Sequence, residues 1–269
     1  MRGWWQDLTD LVLPADCGGC GRPRTALCVR CRDALCGAVP RRVCPDPRPP
    51  GLPVVHATAR YEDAVRAVLL AHKERGALAL AGPLGVGLAG AVRSGLRGAG
   101  RDEPRGAPGA GAPGGDAEVL LVPVPSAPRA VRARGHDPVR RIALAAAAEL
   151  RRGGTRARVL CVLRQRRAVA DQSGLNSRQR QANLAGALEV TAGGGRLLGA
   201  GRVVIVDDLM TTGASLAEAA RAIRDVRMES IGRAAPVTAR EMSGENRGEN
   251  AISAAVVAAS PDSFEINRN

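Results

Sequence analysis

Four β-branched residues in a row, Val203-Val204-Ile205-Val206, run straight into two carboxylates, Asp207 and Asp208. A continuous apolar run of this kind reads as a strand buried on both faces, as in a parallel sheet. Open parallel sheets bind ligands beyond the carboxyl ends of their strands, which is where the two aspartates fall. A short turn follows, and from Ala214 the pattern becomes helical: Leu216, Ala220 and Ile223 share one face at i, i+4 and i+7. Thr211, Thr212 and Ser215 supply hydroxyl donors, and Gly213 lets the backbone approach an anion. The free N–H groups and partial positive charge at the helix start, Ala214 and Ser215, complete an anion site.

A phosphate site beside two carboxylates suits a ligand with a phosphate at one end and hydroxyls next to it, and a ribose 5-phosphate has that chemistry. The stretch Val203 to Ser215 resembles the phosphoribosyl diphosphate (PRPP) motif of type I phosphoribosyltransferases. An acidic turn after a buried strand also occurs in receiver and Walker B segments. Walker B needs a G-x-x-x-x-G-K-[ST] partner, which is absent, and the only lysine is Lys73. A P-loop NTPase is therefore excluded.

The formal charge of +13 is carried almost wholly by arginine. Its distribution matters more than its size. Residues 129–190 hold fourteen arginines and four carboxylates, a basic region able to serve a polyphosphate substrate, a nucleic acid or both. A solvated arginine-rich surface is the plainer reading. No stretch reaches 18 consecutive apolar residues, so no membrane insertion is expected, and residues 1–10 do not read as a signal peptide. The expected location is cytoplasmic, where thiols stay reduced and clustered cysteines point to metal rather than disulfides.

Residues 1–16 carry Trp4, Trp5, Leu8, Leu11, Val12 and Leu13, which read as an amphipathic helix packing on its own protein. Cys17-x2-Cys20-x7-Cys28-x2-Cys31 follows, two C-x2-C knuckles able to close a tetrahedral Zn²⁺ site. Four thiolates leave no open position, so such a zinc is structural. Cys36 and Cys44 read as bystanders, although either could replace a ligand, and Cys161 reads as a buried small hydrophobe. Pro40 to Pro53 reads as a linker, Val54 to Ala59 as a strand, and Tyr61 to Ala71 as a helix closed by His72-Lys73-Glu74-Arg75-Gly76. Lys73 is a candidate substrate contact, or a helix-terminal cation of the ordinary kind. Residues 77–98 read as a helix despite their glycines. Gly85-x-Gly87-x-x-Gly90 is rejected as a dinucleotide fingerprint, because no strand precedes it and no acid follows at the required distance.

Val119 to Ser126 reads as a second buried strand ending in a V-P-V-P turn that delivers Arg129, Arg132 and Arg134, whose guanidinium forks suit a diphosphate. Residues 138–150 read as a helix and Val159 to Leu163 as a strand. Residues 164–183, polar and basic, read as a mobile loop and helix start able to close over substrate. After the PRPP-like motif, either Pro236-Val237-Thr238 or residues 252–259 supply the next strand, and the second is favoured.

In this order the paired knuckles, the Tyr…Lys-x-x-Gly helix, V-P-V-P with Arg-Gly, the Arg/Gln/Asn-rich segment and V-D-D-x-x-T-T-G-A-S resemble the ComF family, phosphoribosyltransferase-like proteins tied to competence for DNA uptake. One departure is Arg134-Gly135-His136-Asp137-Pro138, where that family often has an aromatic and Asn-Gln. The resemblance implies an α/β fold: a type I phosphoribosyltransferase-like parallel sheet flanked by helices, with a small N-terminal four-cysteine zinc knuckle. Residues 1–50 would hold the amphipathic start, the four-cysteine zinc module and the linker. Residues 51–269 would hold the phosphoribosyltransferase-like domain, with 98–116 and 228–250 as disordered insertions. It also implies PRPP bound with Mg²⁺, Asp207 and Asp208 on the ribose hydroxyls, Thr211 to Ser215 on the 5-phosphate, and Arg129, Arg132 and Arg134 on the leaving diphosphate. Two readings stay open. One is a transferase acting on an unknown acceptor. The other is a non-catalytic protein that senses PRPP or binds single-stranded DNA beside a competence helicase. With Trp4, Trp5, Tyr61 and Phe264 as the only aromatics, DNA binding would rest on arginine–phosphate contacts rather than stacking.

Overall fold

The computed structural model describes residues 16–99, 117–167, 177–234 and 252–265. Readings placed on 1–15, 100–116, 168–176 and 235–251 lie outside these residues.

A six-stranded sheet forms the centre. Its strands are β1 (Arg41–Val43), β2 (Val54–Arg60), β3 (Val119–Pro123), β4 (Ala157–Val159), β7 (Arg202–Met210) and β8 (Ser253–Ala259), in the spatial order β1-β2-β8-β7-β3-β4. All pairings are parallel except the edge pair β1–β2. Strand β7 lies between β8 and β3, and its residues alternate between two cores. Val204 and Val206 enter one core, Val203 and Ile205 the other. Burial on both faces explains why the sequence run is apolar without a break. A separate antiparallel hairpin, β5 (Leu163–Gln165) and β6 (Leu188–Val190), packs into the second core.

The first core is covered by α1 (Val29–Cys36), α2 (Asp63–Glu74), α3 (Ala81–Ala99) and α5 (Pro138–Arg152). The second is covered by α8 (Ala214–Ala234), whose Leu216, Ala220 and Ile223 are buried as the periodicity requires, with α7 (Gly194–Leu198) beside it. Two short helices, α4 (Pro128–Arg134) and α6 (Ser177–Leu184), lie in the connections.

Helix α3 shows why the glycine pattern at 85–90 is structural. A Cβ on Gly85 would collide with the Cβ and backbone of Ala145 on α5, so this glycine lets the two helices approach closely. Over Leu78–Gly98 the segment is long and apolar enough to cross a membrane by length and composition. Leu84, Leu88, Ala89 and Ala91 of that stretch are each 0 % exposed, so its apolar side is spent on the core.

Several expectations need correction. Strand β7 does not stop at Val206 but continues through both aspartates to Met210. Val159 to Leu163 is not one strand: β4 ends at Val159, and the chain crosses to the hairpin, which starts at Leu163. Leu160 and Val162 are buried in the second core while Cys161 points out and is exposed, so it is not a buried hydrophobe. The proline-rich stretch is not a free linker, because Arg41–Val43 pairs with β2. Helix α8 runs to Ala234, so residues 228–234 are helical rather than part of an insertion, and α3 likewise extends to Ala99. The favoured strand at 252–259 is β8.

The glycines of α3 separate packing from propensity. Gly85→Ala should destabilise by about 1–3 kcal/mol, because the helices must part. Gly82→Ala, where an added Cβ meets nothing within 4 Å, should be neutral or stabilising by up to about 1 kcal/mol. Urea unfolding of the two variants checks the opposite signs.

Candidate functional site

The site is assembled at the carboxyl end of the sheet from elements far apart in the chain. A cleft of about 420 Å³ is lined by Lys73 of α2, Val124 to Ala127 after β3, Arg134 of α4, Gln165 and Leu188 of the hairpin, and Asp207, Asp208, Thr211 and Ser215. Six of the residues singled out from sequence thus meet in one place: Lys73, Arg134, Asp207, Asp208, Thr211 and Ser215. Thr212, Gly213 and Ala214 complete the turn beneath it. A larger cleft of about 720 Å³ lies at the seam of α1, β2 and α2, away from the two aspartates. Chemistry rather than size assigns the site.

The two aspartates are not equivalent. Asp208 is 5 % exposed and accepts a charged hydrogen bond at Oδ2 from Lys73 Nζ at 3.0 Å. Asp207 Oδ1 accepts the backbone N–H of Asp208 at 2.8 Å. Burial first, and the adjacent Asp208 carboxylate second, push the Asp207 carboxyl well above the usual range. Burial alone would lower Lys73, but Asp208 and Asp207 facing it outweigh that and hold the ammonium on.

The last turn of α2 also ties down the arginine segment. Glu74 pairs with Arg134 at 3.0 Å. His136, 7 % exposed, has Nε2 at 3.2 Å from the His72 carbonyl and Nδ1 at 3.1 Å from the Arg134 carbonyl. Gly135, at φ +72°, makes the turn between them. The position where the sequence departs from the expected Arg-Gly pattern is therefore the one that docks α4 onto α2. Arg134 Nε is buried without a partner among the described residues. The three candidate arginines do not act from one place, since α4 is a helix rather than an extended loop. Only Arg134 lines the cleft, while Arg129 and Arg132 line an adjoining groove of about 300 Å³ with Gln165, Arg166 and Arg167.

The turn at 211–213 is backed by the proline-rich stretch. Gly213 sits at φ +73°, and a Cβ there would lie 3.1 Å from Leu52 and 3.3 Å from Pro45. Sequence reasoning missed this buttress, as it missed Ser126, Gln165 and Leu188. Ser126 stood inside the V-P-V-P-S run. Gln165 and Leu188 gave no local sign, because their place depends on a hairpin closed across 163–190.

The four cysteines converge as their spacing predicts. The Sγ atoms of Cys17, Cys20, Cys28 and Cys31 all lie within 4.8 Å of one another, against about 3.8 Å between sulfurs around a tetrahedral zinc. Burial pushes the Cys17 thiol up, but the N–H groups of Cys28, Cys20 and Gly19 outweigh it and bring the pKa to about 6, which favours the thiolate a metal needs. The Cys28 N–H donates to Cys17 Sγ at 3.3 Å. A Cβ on Gly19 would fall 2.6 Å from Cys31 Sγ, so this glycine is required by the cluster. Cys36 and Cys44 stand apart from it, facing the carbonyls of Pro83 and Pro45. The donor set fits structural zinc, with no position left for substrate.

Two outcomes are expected here. Zinc content should be one ion per chain by elemental analysis and should fall in Gly19→Ala, with chelation lowering the Tm of wild type. Asp207 carries a second test. Its folded pKa lies above the unfolded value, so ionisation weakens the fold as pH rises through the folded pKa. Asp207→Asn should therefore raise the Tm at pH 8 by about 2–4 °C for each kcal/mol relieved, with the gain vanishing below the unfolded carboxylate pKa.

Residues 144–257 match the phosphoribosyl transferase domain family. A comparison with curated proteins gives no match. The matched span runs from within α5 into β8 and includes the two aspartates, the turn and α8, but not the four-cysteine cluster, Lys73 or β3. Seen with the parallel sheet and the four thiols, this makes the chain a phosphoribosyltransferase-domain protein with a four-cysteine cluster near its N-terminus.

Proposed function

We propose that the chain binds PRPP with Mg²⁺ in the cleft and transfers its phosphoribosyl group to an acceptor. The observation that carries this reading is the convergence of Asp207, Asp208 and the Thr211–Ser215 turn in one cleft with Lys73 and Arg134. The turn and the N-terminus of α8 take the 5-phosphate, and the carboxylates accept from the ribose hydroxyls. Asp207 and Asp208 would also face the Mg²⁺, directly or through its water. When bound, the metal neutralises charge on the diphosphate. Arg134, with its unpartnered buried Nε, holds the leaving diphosphate, and Arg129 and Arg132 extend that positive surface. Lys73 keeps Asp208 compensated until a ligand arrives. The acceptor enters on the hairpin side, beside Gln165 and Leu188.

A second reading rests on the adjoining groove, whose arginines Arg129, Arg132, Arg166 and Arg167 have no carboxylate among its lining residues. Taken with the ComF resemblance, it is a single-stranded DNA surface of a competence protein that keeps PRPP as a signal and works beside a helicase. In that reading the four-cysteine segment is a zinc-stabilised part packed onto the 51–269 domain, and the protein acts in the cytoplasm.

Calorimetry with PRPP·Mg²⁺ tests the first reading. Wild type should bind, and Asp207→Ala/Asp208→Ala should lose about a hundredfold in affinity, roughly 2.8 kcal/mol. Absence of binding by wild type, or equal binding by the double variant, would overturn it. The second reading expects DNA affinity to fall steeply with salt, with a shallower slope in Arg132→Ala/Arg166→Ala.

A further inference from the structure

The hairpin that roofs the cleft cannot hold its own position. Each of its strands has three residues, and an isolated two-stranded ribbon is marginal in water. Yet Leu188, 4 % exposed, and Gln165, its partner across the hairpin, both line the cleft. Besides the hairpin's packing into the second core, a pair of charged side chains on α8 grips its main chain. Glu218 Oε1 accepts the Leu188 N–H at 3.0 Å, and Arg221 Nη2 donates to the Leu188 carbonyl at 3.0 Å. The two side chains are also joined to each other, with Arg221 Nε to Glu218 Oε2 and Nη2 to Oε1 both at 2.8 Å, while Arg221 Nη1 pairs with Asp225. Both main-chain groups of one residue are thus gripped at once.

Glu218 is 6 % exposed, and a buried carboxylate contributes less to stability than an apolar residue of the same size would. Its place in the fold supplies the reason. Glu218 lies one helical turn beyond Ser215, on the helix that begins at the phosphate turn. We infer that Glu218 and Arg221 are a positioning pair that fixes Leu188 and Gln165 to the start of α8, so that a ligand seated on Thr211–Ser215 also orders the hairpin on the acceptor side of the cleft. This rests on the reading of the turn as a phosphate site. Neither residue touches substrate, and both act through the Leu188 main chain.

Hydrogen exchange by mass spectrometry on the full chain tests the pair through Glu218→Gln and Arg221→Lys. Without ligand, each variant should raise exchange at 185–190 by about tenfold and leave β3 and β7 unchanged. With PRPP·Mg²⁺, wild type should gain protection at both 211–215 and 185–190, and the variants at 211–215 alone. Ligand protection of the hairpin that survives in both variants would overturn the inference. So would a rise in exchange spread equally over β3 and β7, which marks general destabilisation. Should wild type show no ligand response, the phosphate reading fails, and with it the ligand coupling, while the ligand-free arm still decides whether the pair holds the hairpin.

Discussion

Two like charges on consecutive residues at the end of a buried strand are the constraint around which this fold is arranged. Desolvation and the adjacent Asp208 carboxylate both oppose ionisation of Asp207. Among the described residues, the cation that compensates them is the Lys73 ammonium, 3.0 Å from Asp208. For that ammonium to arrive, α2 must end over the sheet at the level of β7. Gly76, at φ +67°, turns the chain just beyond it, and Glu74 and the His72 carbonyl then receive Arg134 and His136. The helical turn that carries Lys73 thus also docks the arginine-bearing segment.

The same helix links the cysteine cluster to the cleft. Cys17, Cys28 and Cys31 share a core with Val68, Leu69 and Ala71 of α2 and with Leu80. A Cβ on Gly18 would press on Leu80 at 2.7 Å and on Ala71 at 3.3 Å. The cluster therefore braces α2 along Val68 and Ala71, on the helix whose last turn carries Lys73. Zinc held there would stabilise the fold and, through α2, the geometry of the charge pair. On the other side of the sheet the proline-rich segment does comparable work, with Pro45 and Leu52 closing beneath Gly213 so that the turn has one conformation.

Much of this was readable from residues alone, because the strongest signals are local. The run Val203–Val206 is apolar on both parities and can only be buried on both sides. The thiols are spaced for one metal, and Leu216, Ala220 and Ile223 keep helical period. The misreadings share a different cause. Val159 to Leu163 is as apolar as a strand, yet the chain changes sheets within it. Leu160, Val162 and Leu163 are apolar because they enter the second core, so composition was right while continuity was wrong. Prolines at 45–53 suggested a linker, whereas their fixed φ serves equally well for a rigid support under a turn. His136 could not be found locally, since its partners are main-chain carbonyls, one of them 64 residues away.

Composition gains meaning once side chains have places. Arginine outnumbers lysine 38 to 1, a bias that carries little by itself. On α8, however, Arg221, Arg224 and Arg227 stand three residues apart, and each donates to a main-chain carbonyl of a different segment: Leu188, Gly51 and Leu198. A guanidinium fork can reach a distant carbonyl and keep further donors for a carboxylate, as Arg221 does with Glu218. The helix that begins at the 211–213 turn is thereby fastened to the hairpin, to the proline-rich buttress and to α7. The one lysine stands where a fork would serve badly. Lys73 brings a compact point charge to a single oxygen of Asp208, compensating the carboxylate without the bidentate grip that an arginine would place across it.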